Sequence, residues 1–133
     1  MAAEIIVDNE FITMWYFPDK RIVHHRLHKF SYGDTLRSAL EAGVEQLRKH
    51  HAHKWLSDDR SYAALTKEDA EWGETYWGPS AVEAGWRYWA IVLPKSVLGK
   101  LSMERIIGIY EKLGLTVKVF SDVDEGMAWL EAQ

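Results

Sequence analysis

The chain has 133 residues, 47% of them hydrophobic and 27% charged, with a formal net charge of -4 at pH 7 and no cysteine. One globular domain spanning residues 1–133 accounts for that length, and the composition excludes a disordered chain. The mild negative charge gives no long-range attraction to a phosphate backbone, so nucleic-acid binding is not expected, and disulfides, thiolate metal sites and a cysteine nucleophile are excluded.

The first eight residues, Met-Ala-Ala-Glu-Ile-Ile-Val-Asp, lack the basic start and long apolar run of a secretory signal. No apolar stretch approaches the ~20 residues needed to cross a bilayer. The expectation is a cytoplasmic protein without membrane contact. Residues 11–17, Phe-Ile-Thr-Met-Trp-Tyr-Phe, are aromatic and β-branched and stop at Pro18-Asp19-Lys20. A second such run covers 21–28, so the two predict an antiparallel hairpin.

Leu36, Ala39, Leu40, Val44 and Leu47 then recur at spacings of three and four, which places them on one helix face. Asp34 is the expected N-cap, and the helix should fray at His50-His51. A short strand over 54–57 runs into Asp58-Asp59-Arg60. Thr66-Lys67-Glu68-Asp69 fits a capping box for a second helix carrying Trp72, Tyr76 and Trp77, which Gly78-Pro79 should end. Residues 86–93 are apolar at nearly every position, as in a strand covered on both faces. A third helix is predicted over 103–113, a last strand over 115–120, and a final helix from about Asp122 through Leu130. The order β-β-α-β-α-β-α-β-α predicts an α/β fold: a mixed, mostly parallel five-stranded sheet with four helices.

In this topology the carboxyl ends of the parallel strands share one edge, where open α/β sheets tend to hold ligands. That edge gathers His28, Lys29, Asp58, Asp59, Arg60, Lys95, Ser96, Ser121 and Asp122, with Asp58-Asp59-Arg60 the densest group. Adjacent carboxylates suit a hard cation or acid–base work, but neighbours on a strand end diverge, and a self-satisfied loop is the plainer reading. His24 and His28 share a face about 13 Å apart, too far to share an ion. No metal site is therefore assigned, and the GxSxG, GxxxxGK and GxGxxG signatures are all absent. Seven tryptophans either fill the core or line a pocket or interface.

The hairpin start, the element order and three segments resemble the SpoIIAA-like branch of the STAS proteins, loosely labelled SEC14-like. The segments are Lys54-Trp55-Leu56-Ser57-Asp58-Asp59-Arg60, the run from Trp86 to Pro94, and Val119-Phe120-Ser121-Asp122 with Ala128-Trp129-Leu130. The resemblance spans nearly the whole chain and looks bacterial. It implies a non-catalytic, cytoplasmic regulatory module that binds a protein partner. Antagonists of this kind are switched by phosphorylation in an Asp-Ser-Ser-Gly-like loop, which this chain lacks; Ser61 and Thr66 fall in that region without matching it.

Three functional readings follow. The first is a binding or regulatory module without cofactor, whose contact surface is Asp58, Asp59 and Arg60 with Trp72, Trp77, Trp86 and His28. The second is a carrier of a small apolar ligand in an aromatic-lined pocket. The third is a hydrolytic or acid–base enzyme using Asp58 or Asp59 with His28. An unpaired edge strand over 11–17 would favour a homodimer.

Overall fold

Along a strand, successive side chains point to opposite faces, so each strand here carries two separate sets of residues. The structure, a computed structural model, describes residues 2–62 and 64–133. Six strands form one sheet: β1 (Glu4–Asp8), β2 (Ile12–Phe17), β3 (Ile22–Leu27), β4 (Lys54–Asp58), β5 (Tyr88–Val92) and β6 (Thr116–Phe120). Their spatial order is their chain order. β1, β2 and β3 pair antiparallel, and β3 through β6 pair parallel. The α/β class stands, but the sheet is a mixed one of six strands rather than the expected five. The additional strand, β1, covers the outer edge of the hairpin, so the edge expected at 11–17 is paired.

The helices are α1 (Gly33–His50), α2 (Lys67–Trp72), α3 (Gly78–Glu83), α4 (Val97–Lys112) and α5 (Val123–Glu131). A π turn, Gly73–Trp77, joins α2 to α3 without a break, so these form one continuous helical body and the described residues hold four. Parallel strands laid down side by side in chain order, with right-handed crossovers, send every connecting helix to the same face. Accordingly α1, α3 and α4 pack with Trp55, Trp89 and Ile91, whereas α5 folds back over Ile22, Leu56 and Ala90 on the opposite face.

Three local expectations give way to tertiary contacts. Asp34 lies inside the first turn of α1; the N-cap position is Tyr32, whose side chain makes no capping bond. The amide of Gly33 is taken instead by Asp69 of α2 at 2.9 Å, and Asp69 also accepts from Arg37 Nε at 2.8 Å. Thr66 does cap α2 through the Asp69 amide at 3.1 Å. Burial pushes the Asp69 carboxyl up, but the Gly33 amide, Arg37 and Thr66 outweigh it and hold it below the usual range. Gly78-Pro79 does not end the helix. The Gly78 amide donates to the Gly73 carbonyl, closing the wide turn, and a glycine before proline has no Cβ to collide with the ring. Finally, α4 begins at Val97 rather than near Met103, with the Ser96 hydroxyl accepting from the Gly99 amide at 3.0 Å.

Candidate functional site

The parallel register pairs His25 with Ser57 and Arg26 with Asp58. Paired residues share a face and consecutive ones do not, so His25 and Ser57 face the α1–α4 layer while Arg26 and Asp58 face the other way. Asp59, one residue beyond β4, turns back to the His25 side: His25 Nε2 and Asp59 Oδ1 are 2.7 Å apart. The two neighbouring carboxylates therefore stand on opposite faces, and both are buried.

Asp58 is gripped by Arg60, whose Nε and Nη2 donate to Oδ1 and Oδ2 at 2.8 and 2.7 Å, with Arg26 Nε 4.0 Å away. Burial pushes this carboxyl up; the hydrogen bonds and charge of Arg60, aided by Arg26, pull it down further, and the net shift is downward. Asp59 has a different partner. Trp55 Nε1 donates to His25 Nδ1 at 2.9 Å. An indole nitrogen only donates, so Nδ1 carries no proton, and the ring proton sits on Nε2 and is given to Asp59. His25 is thus a neutral bridge from Trp55 to the Asp59 carboxylate.

His25, Trp55, Ser57 and Asp59 line a cavity of about 90 Å³ between the sheet and helices α1 and α4. Its remaining wall is largely apolar and half aromatic: Trp77, Trp86, Trp89, Tyr62 and Tyr110 join Trp55, with Leu27, Leu36, Leu40, Leu65, Met103 and Ile106. The rings brace one another edge to face. Trp55 and Trp77 lie 5.6 Å apart by centroid, and Trp86 and Trp89 5.2 Å. Such pairs add about 0.5–1.5 kcal/mol beyond the area they bury. Two features let the aromatic layer close. Gly43 of α1 lies directly over the Trp55 ring, where a Cβ would overlap its atoms. The π turn brings Trp77 to within 6.5 Å of Trp72, five residues earlier, and a Cβ on Gly78 would meet the Tyr110 ring at 2.9 Å.

Most polar atoms on the wall are satisfied. Trp89 Nε1 donates to Ser57 Oγ at 2.8 Å, Trp86 Nε1 to the Tyr88 carbonyl at 3.1 Å, and Tyr62 pairs with Ser102 at 2.8 Å. The indole N–H of Trp77 is buried without a partner among the described residues. Burial pushes the hydroxyls of Tyr62 and Tyr110 up, so both stay protonated; Asp59 adds to the effect at Tyr62 and Glu74 at Tyr110.

Of the residues singled out in the sequence, Asp59, Trp77 and Trp86 meet at this cavity. Asp58 and Arg60 lie across the sheet from it. Trp72 packs outside it, under the guanidinium of Arg37 at 5.2 Å. His28 is hydrogen-bonded to Thr13 at 2.7 Å, and Thr13 donates to Asp8 at 3.2 Å. A separate open groove of about 420 Å³ runs along the carboxyl ends of β4, β5 and β6, beside Arg60, Lys95, Lys100 and Ser121. The residues that sequence reasoning did not single out are His25, Trp55, Trp89, Tyr62 and Tyr110. The period of two along β3, β4 and β5 already groups His25 with Trp55, Ser57, Trp89 and Ile91, once the strands are aligned. Among the described residues, no three His, Asp or Glu side chains converge where a metal would be held, and no helix is long and apolar enough to cross a membrane.

No family model, curated protein or solved structure matches the chain.

Proposed function

We propose that this protein is a binding protein for a small, largely apolar molecule, which it takes into the aromatic-walled cavity over β3, β4 and β5. The observation that carries the reading is the wall itself: a largely apolar cavity of about 90 Å³, lined by four tryptophans and two tyrosines, with His25, Ser57 and Asp59 among its few polar residues. Concave, apolar sites with a few convergent polar groups are the usual form of small-molecule sites. Rings already held by neighbouring rings lose little freedom when a ligand arrives, which lowers the cost of binding.

Binding rather than acid–base chemistry is supported by the state of His25. One ring nitrogen accepts from Trp55 and the other donates to Asp59, so neither is free to take a proton from a substrate. Ser57 is beside His25 in the sheet, but its hydroxyl oxygen accepts from Trp89 and makes no bond to the imidazole. A nucleophile–base pair needs that bond.

The test is thermal denaturation with tryptophan fluorescence across a panel of small apolar ligands, for the native sequence and for Leu40→Trp. A ligand at 100 times its Kd stabilises by about 2.7 kcal/mol, which for a domain this size is a rise in Tm of roughly 10 °C. Leu40 lines the cavity, and an indole there fills it; the variant should fold and lose the ligand-dependent rise. A panel without any shift, or equal shifts in both proteins, would sink the reading.

A further inference from the structure

The cavity holds a charge that the protein leaves without a counter-ion. Asp59 is 4% exposed, and its side chain is hydrogen-bonded to His25, which is neutral because Nδ1 accepts the Trp55 indole N–H and so carries no proton of its own. The nearest cation in sequence, Arg60, is committed to Asp58 on the opposite face. Arg37, the cation on the adjoining helix, is committed to Asp69. Among the described residues, no Lys or Arg lines the cavity. A buried carboxylate that is hydrogen-bonded but not paired with a cation is costly.

The remaining wall has the complementary property. Aromatic faces carry negative potential and attract cations, tryptophan most strongly, by about 2 kcal/mol or more when water is excluded. A metal ion does not suit such a wall, which offers one carboxylate and no second or third charged oxygen or nitrogen ligand. The cavity is small, about 90 Å³, which suits a compact head group.

Resting on the cavity reading above, we propose that the ligand is a small organic cation, a methylated ammonium or the methylated ammonium head of a longer molecule, held between the ring cluster and the Asp59 carboxylate. The rings supply the apolar and cation–π contact for the methyl groups, and Asp59 supplies the counter-charge.

The experiment compares two molecules of the same shape. Choline and 3,3-dimethylbutan-1-ol differ in that a neutral carbon replaces the charged nitrogen. Each is titrated calorimetrically into the full chain at matched ionic strength. Choline should bind at least tenfold more tightly than the alcohol. In Asp59→Asn, checked for native circular dichroism, that preference should fall at least tenfold while alcohol binding is retained. Equal binding of the two by the native sequence would overturn the cation assignment and leave the cavity reading standing, and a preference unchanged in Asp59→Asn would overturn the assignment of Asp59 as the counter-charge. Binding of neither would overturn both. The comparison on the native sequence needs no variant, so a poorly folded Asp59→Asn does not blunt it.

Discussion

The two faces of the sheet are most easily compared through two pairs of adjacent identical residues, His24-His25 and Asp58-Asp59. Each pair places one member on either side, and the two sides treat them differently. On the α5 face, Asp58 is paired with arginines. His24 lies 4.9 Å from the Trp15 ring, its Nε2 buried without a partner among the described residues. Burial, with the adjoining His25, lowers its pKa to about 4. On the α1–α4 face, Asp59 meets no Lys or Arg among the described residues, but His25 has both nitrogens satisfied. One side solves its charge and strands a neutral ring; the other satisfies the ring and leaves a charge facing a cavity. Identical residue types one position apart thus acquire opposite roles from strand parity alone.

The largest expected difference between the faces concerns their tryptophans. Trp86 is 1% exposed and contacts Trp55, Trp77, Trp89 and Tyr110. Trp86→Ala should cost about 3–5 kcal/mol in urea denaturation. Trp129 on α5 is only partly buried, against Tyr88 and Phe120. Trp129→Ala should cost less than half as much, and equal costs would mean that the cavity face is not the main core.

A smaller effect separates the two histidines. The folded pKa of His24, about 4, lies below the ordinary histidine value of 6.5. The unfolded chain therefore binds the proton more readily, and the stability tied to the neutral ring is full above pH 6.5 and is lost as the pH falls toward 4. His24→Leu should be near neutral at pH 7 and more stable than the native sequence by about 2 kcal/mol at pH 5. Chemical denaturation at both values checks this; a constant difference between them would place the pH dependence elsewhere.

The finest test uses one substitution at two helical glycines. A Cβ at Gly108 of α4 would meet nothing within 4 Å, so Gly108→Ala should stabilise by about 0.5–1 kcal/mol through helix propensity. At Gly43 the Cβ would overlap the buried Trp55 ring. Gly43→Ala should destabilise by about 1–3 kcal/mol and perturb tryptophan fluorescence. The same sign at both positions would mean that α1 does not press on the cavity wall.

Element types are legible in the sequence where periodicity is strong. Leu36, Ala39, Leu40, Val44 and Leu47 mark α1, and the apolar run centred on Trp89-Ala90-Ile91 marks β5, buried on both faces. The misses share a cause. Glu4–Asp8 is half exposed and shows no alternation, so only its pairing with β2 makes it a strand. The start of α4 exposes Val97, Leu98 and Leu101 and offers no amphipathic stripe to read. Gly78-Pro79 looks like a stop because local rules cannot anticipate a π turn stabilised by packing against Tyr110.

The candidate site follows the same division. Asp59, Trp77 and Trp86 were visible as residues of interest, because rare types and charge clusters are local properties. Whether Asp58 and Asp59 act together was not visible. The order of elements alone determined an α/β sheet with its crossover helices, since short, right-handed connections leave few alternatives. The tertiary structure decided the rest: which strand lies beside which, in what register, and therefore which of two neighbouring side chains meets a cavity and which meets an arginine. Strand parity is a sequence property, but it has no meaning for a site until the pairing of β3 with β4 sets His25 beside Ser57 and brings Asp59 to its ring.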